Sequence, residues 1–288
     1  MAEYFSFQAA LFFSIAHVLI RRGLLYSNAI TGSFISLTTS AVTLWLMVPF
    51  FVPLSALWTP AIGYFVAAGF FAPGIGRTLS YVGIERIGVA RSVPIVNSSP
   101  IFASIFAVFF LGEIWVFQNV VGTVLVISGV IVLSSIKPAT GPWHKMDIIF
   151  PILGAVAFGV STNLRKAGLG SLNFPMLAAA ITAATAVFVS LALVRIQGGL
   201  RALKLNSQSI KWLLIAALFN TVAMLSVFYA LSFGRVVVVE PLVNCNPLLS
   251  IFLTAVFLKE IERLSARIIV GALLTVVGTI LVATVNPR

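Results

Sequence analysis

Apolar runs of about twenty residues, long enough to cross roughly 30 Å of hydrocarbon, recur about every 25 to 30 residues along the chain. Charges, Pro and Gly place their boundaries near residues 4–22, 31–53, 59–83, 89–111, 115–136, 147–165, 174–196, 209–233, 236–258 and 266–285. The connections between them are short, apart from 137–145 and 197–209, so no soluble domain fits between spans. Composition agrees. Of 288 residues, 60% are hydrophobic and 9% charged, more apolar surface than a water-soluble globule of this size can cover with polar groups. The first run has no basic residue before it and no small-residue cleavage site after it, and reads as a retained span rather than a signal peptide.

The two halves of the chain resemble each other at a constant offset of 147 residues. Over residues 94–114 the identities are Pro94/Pro241, Val96/Val243, Asn97/Asn244, Pro100/Pro247, Phe110/Phe257, Leu111/Leu258, Glu113/Glu260 and Ile114/Ile261. The next helices continue the match at 149, with Gly122/Gly271 and Gly129/Gly278. The ends of the first and sixth spans match loosely, through Arg21-Arg22-Gly23 and Arg165-Lys166-Ala167-Gly168. A unit of five helices is odd, so two tandem copies cross the bilayer in opposite directions. The expected fold class is an all-α integral membrane protein of ten transmembrane helices in two inverted five-helix repeats. These are residues 1–136 and 147–288, joined by a linker at 137–146.

Tyr229-Ala230-Leu231, Glu240-Pro241-Leu242, Asn246-Pro247-Leu248, Phe257-Leu258-Lys259-Glu260 and a last helix with glycines at 271 and 278 resemble the EamA family of the drug/metabolite transporter superfamily. The likeness covers both halves. It implies a ten-helix carrier of small metabolites, with export of amino acids or related compounds the activity to expect first. Sugar-phosphate-type carriers share that architecture, so the fold alone selects no substrate. One departure stands out. The small four-helix multidrug relatives use a glutamate in their first helix, whereas the first span here carries His17 and no acid after Glu3.

Polar groups inside apolar spans are the candidates for function, because each must face a partner or a wet cavity. Arg77 stands within the third span, with Tyr81 one turn on and Glu85 two turns on, so it reads either as a cavity residue or as half of an ion pair with Glu85. Asn97, Asn244 and Asn246 lie between Pro94 and Pro100 and between Pro241 and Pro247. Prolines free backbone carbonyls, and such breaks serve as kinks, as gating hinges or as the midplane site itself. His17, Asn163, Asn220 and Tyr229 fall in the first, sixth and eighth spans, placed either to line the same cavity or to bond between helices. The substrate-binding set is therefore Arg77, Tyr81, Asn97, Asn163, Asn244, Asn246, His17 and Tyr229. Glu240 begins the ninth span. It reads as a proton-coupling group or as a first-turn carboxylate beside Pro241. Glu113 and Glu260 occupy equivalent helix ends and suit gate or interface pairs.

The net charge of +11 comes from 18 basic residues scattered over short junctions, with no basic stripe for nucleic acid. The pairs Arg21-Arg22 and Arg165-Lys166 read either as side chains reaching for lipid headgroups or, with Arg77 and Arg91, as groups that attract a carboxylate or phosphate. The single cysteine, Cys245, excludes an internal disulfide, and no His, Cys, Asp and Glu have metal-ligand spacing. Neither an enzyme nor a cofactor or metal is expected, and no phosphate-binding G-x-x-x-x-G-K-[ST] is present for ATP to drive the protein directly. The expected location is the cell (inner) membrane, multi-pass, with a small-molecule substrate, the bilayer and protons as partners of a monomer or homodimer. Junctions after odd-numbered spans carry 13 basic residues against 4 on the other side, which puts both termini outside, whereas the family likeness implies cytoplasmic termini. A lipid flippase, an exchanger of anionic metabolites such as sugar phosphates and a non-transporting scaffold are the alternatives.

Overall fold

The structure is a computed structural model, and it describes residues 1–57, 59–99, 101, 102, 105, 106, 117–134, 144–233, 239, 242, 243, 246–258 and 265–283. Glu240, Asn244, Pro100, Pro241, Glu113, Glu260 and Cys245 lie outside the described residues.

The first half begins with α1 (Ala2–Leu24) and α2 (Ala29–Phe51). Glu3 in the first turn of α1 and Arg21 and Arg22 in its last complement the helix dipole. Asn28 caps α2, its Oδ1 accepting from the Thr31 N–H at 2.9 Å. The third element is broken where the sequence suggested one span at 59–83. Helix α3 (Ile62–Gly69) passes through a π turn (Phe70–Gly76) into α4 (Arg77–Ile87). The cause is Pro73, which has no N–H to return to the preceding turn; the Ala68 carbonyl takes the Ser161 hydroxyl instead, at 2.9 Å. Gly88, at φ 83°, turns the chain into α5 (Val89–Val96), a conformation open to glycine and strained for other residues. Helix α6 covers Phe117–Ser134.

The second half opens on a short 3-10 turn (Lys145–Ile148) and α7 (Ile149–Ser171), followed by α8 (Pro175–Ile196), α9 (Ser207–Phe233), α10 (Asn246–Phe257) and α11 (Ala266–Ala283). Among the described residues five helices are long and apolar enough to cross a membrane, and α6, α10 and α11 contain shorter apolar stretches. Large apolar side chains such as Leu46, Phe50, Ile131, Phe188 and Phe252 point outward, while Ala9, Ala10, Ser14, Ala178 and Ala180 are fully buried. Small side chains let helices close on each other where lipid supplies no hydrophobic drive between them.

The two halves run in opposite directions. Ala29, Gly32, Ser33 and Ser36 of α2 meet Glu85, Tyr81, Thr78 and Arg77 in turn, so α2 opposes α4, and α1, whose last-turn Arg21 reaches the Ile84 and Glu85 carbonyls, runs with α4. Helix α7 opposes α3 and α4, with Gly168 against Phe65, Ser161 on Ala68 and Pro151 beside Gly83. Hence α7 points against α1, its counterpart. The packing repeats accordingly: α1 lies on α9 as α7 lies on α3 and α4, and α2 lies on its own counterpart α8. At the last pair, α6 crosses α11 with Gly129 on Gly271 and Gly122 on Gly278. Exchanging each glycine for its counterpart turns one contact into the other, the property of two units related by a two-fold axis.

Candidate functional site

A cavity of about 150 Å³ lies between the halves. Its walls follow the internal repeat. Phe13 faces it in the first half and Phe158 in the second, His17 and Thr162, Pro73 and Asn220, Arg77 and Met224. Ser80 and Val227, Val96 and Val243, Ser99 and Asn246 complete the matched positions; Tyr81, Asn97 and Arg165 line it too, and among the described residues Phe228 and Ile20, the counterparts of Tyr81 and Arg165, do not. The offset is 145 between α1 and α7, set by Gly23 and Gly168, each packed under a large side chain, and 147 elsewhere. The cavity therefore straddles the pseudo-two-fold axis, yet its chemistry is lopsided. Arg77, His17 and Ser80 of the first half stand opposite Met224, Thr162 and Val227, whereas Pro73 and Ser99 stand opposite Asn220 and Asn246.

The π turn feeds Arg77 into this space; π insertions are frequent at functional sites because they rotate the side chains that follow. Arg77 is buried, and its Nη1 donates to Ser36 Oγ at 3.2 Å. The same oxygen takes Tyr81 Oη–H at 3.1 Å and Asn220 Nδ2–H at 3.3 Å, and Asn220 also donates to Tyr81 Oη at 3.0 Å. Helices α2, α4 and α9 are thereby tied at one polar knot. The ion pair between Arg77 and Glu85 weighed from the sequence is not formed. Glu85 instead accepts the Ala29 N–H at 3.0 Å, at the start of α2. His17 Nδ1 lies 3.3 Å from Ser250 Oγ, joining α1 to α10.

Asn246 Nδ2 donates to Asn97 Oδ1 at 2.8 Å, and Asn97 Nδ2 returns to Asn246 Oδ1 at 3.4 Å. Pro94 lies inside the short α5, and Pro247 is the second residue of the described α10. Of the predicted site residues, the cavity gathers His17, Arg77, Tyr81, Asn97 and Asn246. Asn163 and Tyr229 are off it: Asn163 donates to its own helix at Gly159 O, and Tyr229 stacks on Phe5 and Phe233. Arg165, weighed in the sequence between a headgroup contact and an anion-attracting group, stands outside the predicted binding set. It lines the cavity with its guanidinium 5.4 Å from the Phe228 ring, while Lys166 beside it is exposed. The repeat offsets would have flagged Phe13 with Phe158 and Ser99 with Asn246; nothing in the sequence singles out Ser36. Among the described residues no Asp or Glu lines the cavity, and no three His, Cys, Asp or Glu converge on a point.

Where α1 ends, the halves are tied by polar contacts. Arg86 Nη1 pairs with Asp147 Oδ1 at 2.6 Å, Asn28 donates to Ala202 O at 2.9 Å and Ser27 to Lys204 O at 2.8 Å. Arg21, at the same end, donates to the Ile84 and Glu85 carbonyls at 3.0 and 2.8 Å.

Two opposed helical halves enclosing an axial polar cavity, with apolar side chains turned outward, make this a membrane protein of the transporter class. The chain belongs to the EamA-like transporter family, whose profile matches twice, over residues 1–135 and 145–284. No curated protein matches the chain. A solved structure, described only as the crystal structure of a protein, superposes with a TM-score of 0.67 at 17% identity, covering 97% of this chain and 95% of that one. At that identity the likeness speaks for the fold alone.

Proposed function

We propose that this protein is a secondary carrier of the cell membrane that moves a small metabolite by alternating access between two inverted five-helix repeats, residues 1–136 and 147–288. The supporting observation is the cavity built from matched positions of both halves. Two nearly equivalent packings about one axis give a site that opens first to one face and then to the other. Amino acids or related compounds are the first substrate class, leaving the cell. Their carboxylate suits Arg77 and Arg165, and their size suits the volume. Glu240 is the proposed proton-coupling residue. Uptake of radiolabelled amino acids into proteoliposomes, with and without a pH gradient, tests this reading. Flux that ignores the gradient and survives Glu240→Gln removes the coupling, and absence of flux for every small solute removes the carrier.

A second reading, exchange of sugar-phosphate-like anions, is favoured by the two guanidiniums, of Arg77 and Arg165, that line the cavity. Counterflow of a labelled sugar phosphate against an unlabelled one distinguishes it.

A further inference from the structure

Counterpart residues that touch each other mark a two-fold axis, because only points on the axis are carried onto themselves. Arg77 and Met224 are such a pair. They stand at the 147-residue offset, and Arg77 Nη2 lies 3.9 Å from the Met224 sulfur. The guanidinium thus sits beside the axis, where an exchange of the two packings displaces it least.

The knot around it is short of acceptors. A guanidinium carries five N–H donors. Among the described residues Arg77 finds one hydroxyl, Ser36, and one thioether, Met224, a weak acceptor. The Ser36 oxygen has two lone pairs and receives three donors, from Arg77, Tyr81 and Asn220. Surplus donors around a buried cation, at the wall of a cavity that no described carboxylate lines, call for an anion.

Resting on the carrier reading above, we propose that Arg77 anchors one acidic group of the transported solute, a carboxylate or a phosphate, and that its axial position holds that group in both the outward- and the inward-facing state. Met224 is the silent half of the same position. An arginine at 224 would bring its guanidinium to nearly the same point, so the anchor can be moved from one half to the other.

The test needs no known substrate. The only cysteine is replaced by Cys245→Ser, and a reporter thiol is introduced by Ser80→Cys, one turn from Arg77 on the cavity wall. Right-side-out and inside-out membrane vesicles are treated with membrane-impermeant methanethiosulfonates, one anionic (sulfonatoethyl) and one cationic (trimethylammonioethyl). The expected result is labelling from both faces, with the anionic reagent faster on the order of tenfold or more, as a nearby unit charge in a partly buried site implies. Arg77→Met lowers the preference, the Arg165 guanidinium alone being left in the cavity, and Met224→Arg added to it restores the preference. Labelling from both faces with no anion preference, or a preference that Arg77→Met leaves intact, overturns the anchor and spares the carrier. Labelling from one face only overturns the carrier reading itself. Should Arg77→Met fail to fold, Met224→Arg with Arg77 in place decides: the anion preference rises if the two positions share one point, and an unchanged ratio overturns the proposal.

Discussion

Asn97 and Asn246 exchange amide hydrogen bonds, at 2.8 and 3.4 Å, across the boundary between the two halves. Each is also held from behind: Ser14 donates to the Asn246 carbonyl at 3.0 Å and Thr279 to that of Asn97 at 3.3 Å. Replacing either asparagine by leucine leaves the other's Oδ1 without its amide donor, while its Nδ2 still reaches the Val93 or the Val243 carbonyl, a loss of about 1–3 kcal/mol. Because both substitutions break the same pair, the double variant Asn97→Leu/Asn246→Leu should lose less than the sum of the singles by about 1 kcal/mol. Thermal denaturation in detergent of the four proteins of this cycle measures the coupling, and strict additivity would show that the two amides do not depend on each other.

The Arg86–Asp147 pair is unequal. The Arg86 side chain is 50% exposed and that of Asp147 only 6%, so the carboxylate carries the desolvation and the arginine relieves it. Asp147 keeps one more donor, the His144 N–H at 3.1 Å. Arg86→Ala should therefore destabilise the protein by about 1–3 kcal/mol, through a buried carboxylate left with a single donor. Asp147→Asn should cost less, since an amide oxygen still accepts from His144. The melting temperatures should fall in that order. Arg86→Ala should also quicken thiol labelling of the Ser80→Cys reporter from the face where α1 ends, because a tie between the halves is gone.

The crossing of α6 and α11 makes a prediction about symmetry. A Cβ on Gly129 would meet Gly271 O at 2.6 Å and Thr275 N at 2.8 Å; one on Gly278 would meet Val126 N at 2.7 Å, with Gly122 O closer still. These neighbours are backbone, which cannot swing aside, so the helices must separate. Gly129→Val and Gly278→Val should each lower the melting temperature, and by similar amounts, because each glycine is the other's counterpart. A large loss at one and none at the other would mean that the two-fold relation does not extend to this pair.

Much of this arrangement was legible in the chain. The 147-residue offset and the odd number of helices per unit foretell opposed halves, and Arg77 and Asn97 stand out because a membrane penalises them. Less visible was which polar residue meets which. By offset Asn97 matches Asn244, yet the partner it bonds is Asn246, two residues on, and the offset by itself does not name it. Arg165 could be read as a headgroup contact because it follows an apolar run beside Lys166, but α7 extends to Ser171 and carries Arg165 a turn and a half inside its end. Run lengths alone cannot show where a helix stops when polar residues continue it.

Pro73 was also overlooked, although it lies in the π turn just before Arg77. Its counterpart is Asn220, and α9, which has no proline there, runs unbroken through 27 residues. The extra residue of the π turn advances the face of the helix, so it decides that Arg77 rather than a neighbour looks into the cavity. Pro73→Ala restores the missing N–H and lets Ala68 O or Gly69 O take it, which should permit a regular α turn. Regularising the turn rotates Arg77 by about 100°, one residue's worth of helix. The variant should fold at least as stably as the parent, since no core side chain is lost, yet transport of any acid that Arg77 holds should fall at least tenfold. Melting temperature and proteoliposome flux, read on the same preparation, check both halves of the statement. Full flux in a protein whose π turn has closed would show that the break does not aim the arginine.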